Sequence, residues 1–261
     1  MKTEKIVKQQ AREALRGNFS ILIAGLAALV VAYLTVVYLA YVIEIPAGVV
    51  DIESDAVNED MRIFDMLVTL GQGFLFAALA PLLNGWLHTA ARAVISGKSE
   101  ITDMFYYFGS AVRYFKTVVL NLSLCVLAAA LITPLEVVKN IFFNDDFGGA
   151  IMSAVMIVWG LFVYMILAHY PLFLYAVDDG KPVWHYAIGL VGFSFRHFGA
   201  LLRLLFSMIG WIALCFFVVP VIYVAPYLIT ACANSARWLA IIEGMNVQLL
   251  PAAAHNGNDS L

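Results

Sequence analysis

Residues 19–43 read FSILIAGLAALVVAYLTVVYLAYVI, a run without a single charged side chain. A helix advances about 1.5 Å per residue, so about 20 apolar residues cover the roughly 30 Å hydrocarbon layer of a bilayer. The run is long enough to cross. Lys2, Lys5, Lys8, Arg12 and Arg16 stand before it. An apolar core of this length exceeds the roughly 7–15 residues of a cleavable signal peptide, which makes it an uncleaved first span.

The same test applied outward along the chain finds five more crossings. Spans are expected at 19–43, 66–92, 117–136, 148–177, 200–218 and 221–242. The last two come from one stretch, 198–242, in which only Arg203 and Arg237 are charged and which is about twice the length of one crossing. Pro220 cannot donate a backbone hydrogen bond and disfavours helix at its predecessor, so the turn between them is expected near 219–221. Composition agrees with lipid as the main solvent: 63% of positions are apolar and 13% charged, against roughly half and a quarter in soluble domains.

Orientation follows from Lys and Arg, which accumulate in short cytoplasmic loops. With the N-terminus inside, thirteen of the fifteen fall on inner segments and only Arg62 and Lys139 outside. Both termini are then expected on the cytoplasmic side. The loop after the first span is acidic, with Asp51, Glu53, Asp55, Glu59 and Asp60, and reads as a solvated charge run. A net charge of −3 gives no basic field for nucleic acid.

An amphipathic stretch precedes each odd-numbered span, at 2–17, 101–115 and 183–197. In the second, Ile101, Met104, Phe105, Phe108, Val112 and Phe115 form one face, with Asp103, Ser110, Arg113 and Lys116 turned away. All three have the character of interfacial helices. Internal spacing reinforces the pattern. Arg113-Tyr114-Phe115 recurs 83 positions on as Arg196-His197-Phe198, and Arg16-Gly17-Asn18-Phe19 occupies the corresponding place at the start. Ala80-Pro81 followed by Ala91-Arg92 recurs 145 positions on as Ala225-Pro226 and Ala236-Arg237. The fold class is therefore all-α: a polytopic bundle of six spans, built as three repeats of interfacial helix, span and proline-containing span. Residues 1–243 form one domain, and 244–261 a disordered cytoplasmic tail.

Ionisable and amide groups at membrane depth are functional candidates. Asn84, His88 and Arg92 share one face of the second span at intervals of four. His169 precedes Pro171 in the fourth, and Arg196 and Arg203 share a face at the inner boundary, where they reach lipid phosphates. Pro81, Pro171 and Pro226 are candidate helix kinks. The five histidines are dispersed, and no phosphate-binding loop, nucleophile elbow or zinc-protease motif occurs, so no catalytic, cofactor or metal residue is assigned.

The basic N-terminal helix ending in Arg16-Gly17-Asn18-Phe19, the Tyr175-Ala176-Val177-Asp178-Asp179 junction, and Gly210-Trp211 near Pro220 and Pro226-Tyr227 resemble the bacterial domain-of-unknown-function 975 integral membrane family. More distantly the chain is similar to the membrane domain of some glycerophosphodiester phosphodiesterases. The resemblance implies an inner-membrane protein and supplies no catalytic residues. The expected role is a non-catalytic membrane module that organises lipid or docks a membrane protein partner. Its alternatives are a small transporter or export accessory and, with less support, an enzyme acting on lipid headgroups.

Overall fold

The structure, a computed structural model, describes residues 3–44, 62–142, 148–153, 155, 156, 159, 182–214 and 218–243. The described residues are helical almost throughout and include no strand. In order they form α1 (Thr3–Glu44), α2 (Arg62–Ser96), a 3₁₀ helix (Ile101–Gly109), α3 (Ala111–Phe142), helical residues at 148–153, α4 (Val183–Arg196), α5 (Phe198–Leu214) and α6 (Val218–Ile242). Two stretches, Lys5–Glu44 and Met66–Ser96, are long and apolar enough to cross a membrane. Their outer faces carry exposed Val31, Leu34, Tyr38, Ile63, Leu67 and Phe74, a continuous apolar surface suited to lipid rather than water.

The first correction to the sequence reading concerns α1. Residues 2–17 and 19–43 were expected as an interfacial helix and a separate span, but they form one helix of 42 residues. At about 1.5 Å per residue it is roughly 63 Å long, about twice the hydrocarbon thickness. The reason is phase. Val7, Ala11, Leu15, Asn18, Leu22, Gly25, Leu29, Val36 and Ala40 are buried, and most follow one another at intervals of three or four. That stripe crosses Gly17-Asn18 without interruption, so one face of one helix can be packed from end to end.

α2 and α6 both run antiparallel to α1 on this stripe, at different heights. α6 takes the N-terminal half: the Asn234 amide donates to the Val7 carbonyl at 3.0 Å, and the rings of Phe19 and Tyr223 lie 5.7 Å apart. α2 takes the C-terminal half: Trp86 Nε1 donates to the Leu22 carbonyl at 2.9 Å, and Tyr33 stacks on Phe76. The core is the set that these three helices share with α5 and the 3₁₀ helix, including Leu22, Trp86, Met104, Leu204, Met208 and Tyr227. The apolar stripe of residues 3–17, with Val7, Ala11 and Leu15, is thus covered by protein.

The second stretch differs as well. Instead of a helix over 101–115, the 3₁₀ helix stops at an extended Ser110 (φ −150, ψ 133), and Ala111–Phe115 belong to α3. Of the expected apolar face, Ile101, Phe105, Phe108, Val112 and Phe115 are exposed, as a lipid-facing surface would be, whereas Met104 is buried. The opposite side faces protein, with Asp103, Met104 and Tyr107 buried. α4 matches the third stretch, ending at Arg196 with a break at His197. The turn expected near 219–221 is displaced, because α6 already begins at Val218. Pro220 sits in its first turn, where the missing N–H has no helical partner to lose.

Pro81 and Pro226 both lie within their helices. Pro81 removes the backbone donor to the Ala77 carbonyl, and on the adjoining carbonyl a neighbour adds one: Tyr114 Oη donates to Ala78 at 3.0 Å. Beside this turn, Gly85 lets the backbone of the 3₁₀ helix approach closely. A Cβ at Gly85 would overlap the Met104 carbonyl, whereas Gly73, higher on α2, has open space around it. Gly85→Val is therefore expected to lower stability by roughly 1–3 kcal/mol through overpacking. Gly73→Ala should leave it unchanged or raise it slightly; thermal unfolding of the detergent-solubilised protein compares the two.

Candidate functional site

The polar residues at membrane depth gather where the last turns of α2 meet the 3₁₀ helix. Spacing of four puts Asn84, His88 and Arg92 on adjoining parts of α2. The Arg92 guanidinium pairs with the Asp103 carboxylate, which is buried and also accepts the Glu100 backbone N–H at 2.8 Å. Two charges removed from water are tolerable only when paired in this way. His88 is buried one turn deeper and stacks almost parallel on Tyr106, ring centres 4.3 Å apart, with Tyr107 edge-on at 5.9 Å. The Arg113 guanidinium lies 4.4 Å from the same Tyr106 ring. Imidazole and guanidinium cannot share one face at those distances, so Tyr106 is sandwiched between them.

Asn84 is different. It is fully buried, and neither its amide nitrogen nor its amide oxygen has a hydrogen-bond partner. Asn18 and Asn121 each donate to the carbonyl four residues back, at 2.8 and 3.0 Å, but Asn84 turns away from its own helix.

The structure separates the other candidates. Arg196 makes two hydrogen bonds to Glu243, at 2.8 and 3.0 Å, and His197 lies 2.8 Å from the same carboxylate, so the break between α4 and α5 is fastened to the end of α6. Glu243 is held below the usual carboxylate range, first by the Arg196 hydrogen bonds and then by His197. The Arg196 guanidinium is correspondingly raised by Glu243. Arg203 is exposed and donates to the Gly199 carbonyl at 3.1 Å within its own helix. His169 and Pro171 lie outside the described residues.

Several participants went unnoticed in the sequence. Asn18 holds the turn after α2: its amide donates to the Gly97 carbonyl at 3.1 Å and accepts from the Ser99 N–H and hydroxyl at 2.7 and 3.0 Å. Gly97 takes a left-handed φ of 76°, which ends α2 and costs glycine little. Gln10 is the matching residue near the start of α1, accepting from Trp238 Nε1 at 2.8 Å and the Asn234 amide at 3.2 Å. Asp103 and Glu243 carry opposite charge to Arg92 and Arg196, but charge alone does not tell an internal partner from a solvated residue.

As built, these groups bind and position. Arg92 and Asp103 neutralise each other, His88 is flanked by rings, and among the described residues no three His, Cys, Asp or Glu side chains converge on a metal-sized space. Along one side of α3, Ala111, Val112, Phe115 and Val119 form a shallow, open apolar surface beside Lys116. No protein-family model, curated protein or solved structure matches the chain.

Two outcomes follow. Arg92→Leu, which strands the Asp103 carboxylate, should cost about 3 kcal/mol of stability, and Arg92→Leu with Asp103→Leu less than Arg92→Leu alone. Because Glu243 is depressed in the folded protein, its contribution is full above the unfolded glutamate value near pH 4.3 and fades as pH falls through the lower folded value. Unfolding of the wild type measured from neutral to acid pH should show that loss, and Glu243→Gln should flatten it.

Proposed function

We propose that the chain is a non-catalytic, multi-pass module of the bacterial cytoplasmic membrane, with six spans in three repeats, both termini inside, and an inner surface that organises anionic lipid. The observation that carries this reading is how the charges are divided. Arg92 and Arg196 are spent on carboxylates, whereas Lys5, Arg12, Arg16 and Lys98 are exposed. On the proposed topology all four lie at the cytoplasmic side, next to apolar faces that lipid would cover. A cation within reach of phosphates, on a stem lying along apolar surface, is the arrangement that headgroups favour. The resemblance to the domain-of-unknown-function 975 family agrees with this reading and adds no chemistry to it.

A small transporter is the second reading, and one observation favours it: the buried, unpartnered Asn84 amide beside a proline-broken turn.

Native mass spectrometry tests the lipid reading. Protein extracted from vesicles of phosphatidylglycerol with phosphatidylcholine should retain phosphatidylglycerol in excess, and the variant Arg12→Gln, Arg16→Gln, Lys98→Gln should lose that preference. Equal retention of the two lipids by the wild type would overturn it. For the topology, tags at residue 55 and at either terminus must report opposite sides of the membrane.

A further inference from the structure

The contact between the first arm and α6 and the contact between the second arm and α2 share one register. Here an arm is the stretch before an odd-numbered span together with that span's first turns. Arg16 and Arg113 stand 97 positions apart, and Pro81 and Pro226 stand 145 apart. Moving arm residues forward by 97 and span residues back by 145 carries the pair Val7–Asn234 onto Met104–Thr89, and the pair Phe19–Tyr223 onto Lys116–Ala78. The structure sets Met104 against Gly85, one turn from Thr89, and Tyr114 on Ala78, two residues from Lys116. Antiparallel helices can slide past one another by any number of residues. Agreement to within one helical turn at both ends of the contact is what one repeated interface produces.

We infer that the N-terminal arm is a latch that closes the three units on themselves, seating on the last span as the second arm seats on the first unit's returning span. The inference rests on the repeat architecture proposed above. It also identifies where the closure is weakest. Arg92 on α2 meets Asp103 of the second arm. Arg237 is its counterpart on α6, and the arm position that corresponds to Asp103 is Ile6. With no carboxylate there, Arg237 turns to the Val94 carbonyl of α2 at 3.2 Å. The closing contact is left with neutral hydrogen bonds from Asn234 and Trp238 to Val7 and Gln10, and with Arg12 lying 5.9 Å from the Tyr227 ring. Opening at this joint uncovers Ala231, Asn234 and Trp238 on α6 and leaves the second arm in place.

The missing carboxylate can be supplied. Ile6→Asp is expected to raise the melting temperature of the detergent-solubilised protein by about 2–4 °C, the shift that one good ion pair gives a chain of this size. The gain should vanish when Arg237→Gln is combined with it, and Ile6→Asn should show none. A gain that persists without Arg237, or no gain in a folded Ile6→Asp protein, overturns the proposal. A second measurement does not depend on that variant. Thr89→Cys and Asn234→Cys occupy corresponding buried places, in a background where Cys125, Cys215 and Cys232 are alanine. In native membranes Asn234→Cys should react several-fold faster with a permeant maleimide; equal or reversed rates reject the latch. Tags on unexpected sides would instead reject the topology, and they leave these rates as an independent result.

Discussion

The inner seam of α1 is the constraint from which the rest of the packing follows. Within hydrocarbon a helix satisfies its own backbone, so what distinguishes one neighbour from another is side-chain fit and the few polar groups that need partners. The α1 stripe supplies both. Its small and branched residues admit Trp86 and Tyr227, and two amide-bearing positions on it, Gln10 and Asn18, each select one neighbour. Asn18 fixes the turn after α2, and Gln10 fixes the last turns of α6. These polar pins set the heights of α2 and α6 along α1, and the apolar residues between them fill in.

Hydropathy and charge were enough to foresee an all-helical fold and the two long apolar helices α1 and α2, because length without charge is a coarse property that tertiary contacts do not disturb. They were not enough to find where the helices begin and end. Residues 2–17 were read as separate from 19–43 because their polar face is basic and that of 19–43 is not. What decided the outcome was the phase of the buried face, which is the same on both sides of Gly17. The 3₁₀ helix shows the opposite failure. Its apolar face, Ile101, Phe105 and Phe108, was recognised, but Asp103 was assigned to solvent because nothing in the chain announces that Arg92 waits for it.

The polar residues on α2 divide in the same manner. Arg92 and His88 were singled out for their cost in lipid, and the structure resolves that cost locally, through Asp103 for one and Tyr106 with Tyr107 for the other. Asn84 is the exception, and the repeated span offers a comparison. Ile229 stands in α6 where Asn84 stands in α2, and Ala233 stands where His88 does. The shared framework of proline, alanine and arginine therefore requires neither polar group. Their presence in one span and not the other is a property of that unit, and it is where the two proposed readings of the protein diverge.

The Asn18 amide carries a consequence for biosynthesis. Its partners, Gly97 and Ser99, are translated some eighty residues after it. Gln10 waits longer still, for Asn234 and Trp238, whose separations from it are 224 and 228 residues. The α1 helix is thus completed by α6, and while the segments between them are made it exposes acceptors and donors that only downstream segments match. A nascent chain of this kind gains from an insertion machinery that shelters α1 until α6 has emerged.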